Sequence, residues 1–92
     1  MIKSFRCKDT QVLYEGGSPR RFRAWQAQAE RKLQMLDSAT VLDDLKSPPG
    51  NRLEKLAGDR AGQYSIRIND QWRVCFHWQD DDAHDVEIVD YH

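Results

Sequence analysis

The run Gln63-Tyr64-Ser65-Ile66-Arg67-Ile68-Asn69-Asp70-Gln71-Trp72-Arg73-Val74-Cys75-Phe76-His77-Trp78 alternates apolar and polar side chains on either side of a short polar break. Period-two alternation is the mark of a strand with one buried face, so the run predicts two antiparallel strands, Gln63 to Ile68 and Trp72 to Trp78. With Asn69-Asp70-Gln71 as a three-residue loop, Ile68 pairs with Trp72, Ile66 with Val74 and Tyr64 with Phe76. All apolar partners then match. The same register sets Arg67 opposite Arg73 and Ser65 opposite Cys75 on the other face. Two guanidinium groups facing each other across a ladder repel, so an anion is expected beside them.

Outward from this hairpin, Leu53 to Leu56 reads as a short strand, Gly58-Asp59-Arg60-Ala61-Gly62 as a turn, and Asp85 or Val86 to Tyr91 as a last strand after the acidic turn Asp80-Asp81-Asp82. Extending the pairing sets Phe76 against Val86, Val74 against Ile88 and Val89 against Arg73, with Tyr91 a diagonal step away. Upstream the periodicity is helical. Phe22, Trp25, Ala29, Leu33 and Leu36 recur at spacings of three and four, one stripe of an amphipathic helix. Ser18 before Pro19 is expected to cap it, and Asp9 to cap a shorter helix ending at Tyr14 before Gly16-Gly17. Ile2 to Phe5 reads as an opening strand. Thr40 with Asp43 is expected to cap a turn over 41–45, and Ser47-Pro48-Pro49-Gly50-Asn51 breaks the helical pattern. The expected architecture is α+β: N-terminal helices packed on one face of a mostly antiparallel sheet, in one domain over residues 1–92.

The 92 residues are 39% hydrophobic and 32% charged, which suits a soluble globular chain. No run approaches the roughly 18–20 apolar residues of a bilayer span, and the opening residues lack a signal-peptide apolar segment, so a cytoplasmic location and no membrane partner are expected. Cys7 and Cys75 lie far apart without metal-ligand spacing, which suggests reduced thiols. The net charge of -1 hides an asymmetry. Residues 1–73 carry all 14 Lys and Arg against nine acids, a balance of +5, whereas residues 74–92 carry six acids and no Lys or Arg. That division suits a basic face for a polyanion.

The register brings Arg67, Arg73, Tyr91, His92 and the terminal carboxylate toward one region, joined by Asp90 if the last residues twist out of alternation. One explanation is purely structural: Arg67 and Arg73 pair with Glu87 or Asp90, and Tyr91 packs at the sheet edge. The other is phosphodiester cleavage of RNA by its own 2′-hydroxyl. That reaction needs a base for the 2′-OH proton, an acid for the departing 5′-oxygen, and cations for the phosphorane. Asp90 or Glu54 fits the base, and His92 or Tyr91 the acid. His92 is preferred because histidine titrates near neutrality. No metal or other cofactor is called for. The glycines of residues 58–62 lack the following Lys-Ser/Thr of a phosphate-cradling loop, and Cys75, His77 and His84 have no recognised zinc spacing.

Met1-Ile2-Lys3-Ser4-Phe5, Leu56-Ala57-Gly58-Asp59-Arg60-Ala61-Gly62, the hairpin 63–73 and the ending Val89-Asp90-Tyr91-His92 together resemble a HigB-type toxin of the RelE superfamily, over essentially the whole chain. The resemblance implies a microbial-ribonuclease-like fold and metal-independent cleavage of messenger RNA in the ribosomal A site. It further implies a helix-turn-helix antitoxin partner, with operator DNA contacted only through that antitoxin. The family's terminal trio falls on Asp90, Tyr91 and His92, and its strand arginine on Arg73. Where well-known members carry a histidine this chain has Glu54, and Ala57 replaces a family lysine. That departure implies a mild toxin, with Arg52, Lys55 or Arg60 supplying charge. Arg20, Arg21 and Arg23 at the helix start, with Lys46 and Arg52 around the proline turn, are expected to grip ribosomal RNA phosphates or acidic antitoxin residues. A non-catalytic RNA- or antitoxin-binding module acting in operon regulation is the competing expectation.

Overall fold

In the computed structural model, which describes residues 1–90, four antiparallel strands form one sheet in the order β1-β2-β3-β4. They are β1 (Glu54–Lys55), β2 (Gln63–Arg67), β3 (Trp72–Gln79) and β4 (Asp82–Asp90). The β2–β3 register is the one expected: Tyr64 faces Phe76, Ile66 faces Val74 and Arg67 faces Arg73. Asn69 holds the connecting loop, its side-chain oxygen accepting the backbone N–H groups of Gln71 and Trp72 at 2.9 Å each.

Between β3 and β4 the pairing starts as expected, with Arg73 facing Val89 and Val74 facing Ile88, and then shifts between Cys75 and His77. His77 faces His84, which leaves Asp85 and Val86 together opposite Phe76 alone. This is a β-bulge, and Asp85 takes it up with a left-handed φ of 53°. The bulge lets β4 begin at Asp82, earlier than expected, and shortens the acidic turn to Asp80 and Asp81, both left-handed.

The helices are α1 (Lys8–Tyr14) and α2 (Gln26–Ser38), with a 3₁₀ segment Arg20–Trp25 leading into the second. The expected stripe is buried: Phe22, Ala29, Leu33 and Leu36 lie in the core with Leu13, Ile66, Val74, Phe76, Val86 and Ile88. In 3₁₀ geometry side chains three apart eclipse, so Phe22 and Trp25 project together onto Trp72. Their centroids lie 6.1 and 4.8 Å from the Trp72 ring. The expected caps are corrected. Lys8 precedes Asp9 in α1, so Asp9 sits inside the first turn. Pro19 precedes the 3₁₀ segment, and the Ser18 hydroxyl turns away to donate to Gln26 Oε1 at 2.5 Å. The turn Leu42–Lys46 is capped by Asp44 rather than Asp43. Its carboxylate accepts from the Thr40 and Val41 backbone at 2.9 and 3.3 Å and from the Thr40 hydroxyl at 3.1 Å. Those bonds hold Asp44 below the usual carboxylate range.

The opening residues make no strand of their own. They run parallel along the free edge of β4 in two isolated bridges, Ile2 to Ala83 and Phe5 to Val86. Farther along that edge the Thr10 hydroxyl of α1 accepts the Ile88 N–H at 3.0 Å. An edge strand is thereby covered rather than left to pair with another chain. No helix among the described residues is long and apolar enough to cross a membrane.

Candidate functional site

Alternation along the strands gives the sheet a second face, away from the helices. One rung runs straight across it: Glu54 faces Ser65, Ser65 faces Cys75, and Cys75 faces Glu87. The next rung holds Arg67, Arg73 and Val89. The two arginines expected to meet therefore do meet, with Glu54 on the same face beside them. Lys55 faces Tyr64, so it projects toward the helix side.

How these charges are balanced differs from the structural expectation. Arg67 pairs with Asp70, whose side chain is 98% exposed, rather than with Glu87 or Asp90. Arg73 donates from Nη1 to the Asn69 carbonyl at 2.6 Å and to its neighbour Trp72's carbonyl at 3.3 Å. The hairpin loop thus positions Arg73, because the Asn69 side chain that fastens the loop also fixes its carbonyl. Glu87 belongs to Arg60, which donates from Nη1 to Glu87 Oε1 at 2.7 Å and to Gln63 Oε1 at 3.2 Å. That bond raises the Arg60 guanidinium above its usual pKa. Arg60 is consequently a fastener across the sheet, with 36% of its side chain still exposed.

Beneath the Arg60 bridge, Ser65 and Cys75 are fully buried. Burial pushes the Cys75 thiol up to about 11. Among the described residues the Ser65 hydroxyl has no hydrogen-bond partner. Farther along the same face, Gln63, His77 and His84 form a rung beside a surface groove lined by Ser4, His77, Trp78, Gln79, His84 and Asp85. Among the described residues no three His, Cys, Asp or Glu side chains gather as metal ligands.

Asp90 faces Trp72, one residue beyond the Val89 that faces Arg73, so strand alternation carries it toward the other side of the sheet. Its carboxylate accepts from Gln71 Nε2 at 3.0 Å. Tyr91 and His92, expected to complete the site, lie outside the described residues. The helix-start cations are drawn into local contacts. Arg21 pairs with Asp9 at 3.1 Å, donates to Cys7 Sγ at 3.3 Å and lies 4.7 Å from the Phe22 ring centroid. Arg23 donates to the Ser18 carbonyl at 3.1 Å. Arg20 and Arg52 are exposed, and Lys46 forms an exposed pair with Asp43 at 3.2 Å. The Arg60–Gln63–Glu87 bridge is absent from the expectations drawn from sequence, although the register that faces Arg67 with Arg73 also faces Cys75 with Glu87.

The small antiparallel sheet with helices on one face is the fold of a RelE-like toxin. Residues 3–92 match the family model described as HigB-like toxin, the RelE-like toxin of the type II toxin-antitoxin system HigB, and the chain belongs to that family. It is 34% identical over 93 residues to the Endoribonuclease HigB of Proteus vulgaris, covering the whole of both chains. With Toxin HigB-1 of Vibrio cholerae it shares 52% identity over 50 residues, a stretch spanning 54% of this chain and 53% of that protein. In fold it is similar to a chain of the YoeB-YefM complex from Staphylococcus aureus, with a TM-score of 0.60, 17% identity, and coverage of 100% of this chain and 98% of that one.

Proposed function

We propose that this toxin is an endoribonuclease that cuts messenger RNA in the ribosomal A site, and that a helix-turn-helix antitoxin restrains it and carries it to operator DNA. The observation supporting this reading is the Arg67–Arg73 rung, at the end of the sheet from which the chain passes through Asp90 into Tyr91 and His92. The endoribonuclease name of the full-length Proteus vulgaris relative points the same way. The solved YoeB-YefM toxin-antitoxin complexes favour an antitoxin partner.

In the proposed reaction a carboxylate takes the proton of the 2′-hydroxyl, and the freed oxygen attacks the adjacent phosphorus. Glu54 suits this role by its place on the arginine face; Asp90 is the other candidate. The bond from phosphorus to the 5′-oxygen then breaks, and His92, with Tyr91 beside it in sequence, gives that oxygen its proton. The products are a 2′,3′-cyclic phosphate and a 5′-hydroxyl. Negative charge gathers on the phosphorane as the attack proceeds, and Arg73 and Arg67 stabilise it. Arg73 is suited to this because its bond to the loop fixes it before substrate arrives.

Primer extension on translated messages tests the reading. The toxin is expected to produce cuts that Arg73→Ala weakens by about 10²–10³-fold, the usual cost of one donor to a developing anion. His92→Gln should also abolish them. An absence of cuts from the unmodified toxin would overturn the enzymatic reading and leave an RNA- or antitoxin-binding module.

A further inference from the structure

The Arg60–Glu87 pair lies on the face that carries Arg67 and Arg73. Register puts Gln63 on that face opposite His77, and Glu87 opposite Cys75, so the two acceptors of Arg60 stand on β2 and β4 with β3 between them. A single nitrogen, Arg60 Nη1, reaches both, Gln63 Oε1 at 3.2 Å and Glu87 Oε1 at 2.7 Å. Strands two apart are separated by about 9–10 Å, so the guanidinium sits above β3, over the stretch from Cys75 to His77. Cys75 follows Arg73 by two residues on that strand, which sets the Arg60 head one to two rungs from the Arg67–Arg73 rung. Arg60 is 36% exposed there and Glu87 16%. Beneath them the Ser65 hydroxyl is fully buried, with no hydrogen-bond partner among the described residues.

The pair stabilises the free toxin, but its carboxylate stands on the face where two arginines attract a polyanion, and there it repels RNA. The hydroxyl below is the reverse case, a buried donor without an acceptor that has lost the hydrogen bond it had in water. A phosphate over β3 answers both. We infer that Arg60 and Ser65 form a phosphate site that Glu87 closes in the absence of RNA. A backbone phosphodiester, one or two nucleotides from the one at Arg73, takes the guanidinium from Glu87 and accepts a hydrogen bond from Ser65. Guanidinium binds carboxylate and phosphate with the same forked geometry, so the exchange keeps a charge-assisted bond and changes only its acceptor. Arg60 extends from the turn Gly58–Arg60 on a long, partly exposed side chain, whereas Glu87 belongs to the ladder of β4, so Arg60 is the member that moves. The site holds backbone and reads no base. It rests on the RNA-cutting reading only for the identity of its anion.

The test is binding to a short single-stranded RNA with 2′-O-methyl groups, which cannot be cut, over a range of salt concentrations. In the unmodified toxin Arg60 releases a cation from the phosphate while Glu87, left alone, gathers one, so the site adds almost nothing to the slope of log K against log salt. Glu87→Gln removes the competitor. It is expected to bind about tenfold more tightly at low salt, the worth of one charge-assisted hydrogen bond. Its slope should steepen by about 0.7, the share of one phosphate on a single strand. Adding Arg60→Gln to Glu87→Gln should abolish both gains. Both variants lack the ion pair, and matching thermal melts exclude folding as the source of the difference. Ser65→Ala should weaken binding roughly fivefold with no loss of Tm, because it removes a donor without a partner in the free fold. Unchanged binding by Glu87→Gln, a gain that survives in the double variant, or full binding by Ser65→Ala would each overturn the inference. Because no cutting is measured, a toxin that makes no cuts can still show the exchange, and one that cuts without it refutes this site alone.

Discussion

Arg60 reaches Glu87 at 2.7 Å, across 27 residues of sequence, and in doing so ties the turn after β1 to the far strand of the sheet. The pair spans the rung whose middle members, Ser65 and Cys75, are the most deeply buried on that face. It is partly buried, with 16% of the Glu87 side chain exposed, so solvent screens it less than a surface pair.

Glu87→Gln keeps the shape and removes the charge that Arg60 needs. Losing a charged hydrogen bond at a half-buried site costs about 1–2 kcal/mol. For a chain of this size the melting temperature should fall by roughly 4–8 °C per kcal/mol. Differential scanning calorimetry of the variant reads this directly, and a Tm equal to that of the unmodified protein would show the pair to be idle.

Phe22 is the pivot between helix and sheet, with the Trp25 ring 5.1 Å away on one side and Trp72 beyond. Phe22→Ala removes a completely buried ring and should cost about 3–5 kcal/mol, a large share of the stability of a small domain. Phe22→Leu should cost well under half as much. Urea titration followed by tryptophan fluorescence separates the two variants. Equal midpoints would mean that the aromatic cluster closes over the gap without penalty.

At the β3–β4 turn, Asp80 and Asp81 both occupy left-handed backbone, at φ 53° and 61°. Two-residue hairpin turns of this kind favour glycine at the second position, where the absent Cβ relieves crowding. Asp81→Gly is therefore expected to stabilise the protein by about 0.5 kcal/mol. Chemical denaturation measures the shift; a destabilisation would indicate that the Asp81 carboxylate has a role beyond turn geometry.

The two thiols should differ sharply in reactivity. Burial raises the Cys75 pKa to about 11, so near pH 8 almost none of it is thiolate. At Cys7 burial acts in the same direction, but hydrogen bonds from the Thr10 backbone and hydroxyl and the Asp9 backbone, with the Arg21 guanidinium, outweigh it and lower the pKa. Labelling with an aromatic disulfide reagent near pH 8 should modify Cys7 quickly in the folded protein and Cys75 only after unfolding. Prompt modification of both thiols would contradict the burial of β3.

Much of this protein follows from local pattern. Alternation in residues 63–78 sets the hairpin register because shifting one strand by a single residue would move every apolar side chain to the wrong face. The stripe from Phe22 to Leu36 fixes the buried face of the helix in the same way. The family resemblance, carried by short motifs spread along the chain, agrees with the match over residues 3–92. Local pattern is silent where a single residue breaks it. Nothing in the neighbouring residues marks Asp85 as the extra residue of a bulge, and the alternation of β4 reads almost equally well without one.

Which side chains enter the core, and that Arg67 must face Arg73, could be read from the order of residues alone, because burial and pleat act on each residue through its near neighbours. Which charges are already satisfied is settled only when the chain has folded. Asp9 takes Arg21, Asp70 takes Arg67 and Glu87 takes Arg60, while Lys32 meets only the neutral oxygen of Asn51 among the described residues. Those pairings depend on how loops fold back over strands, and charges have no period along a chain from which such distances could be read.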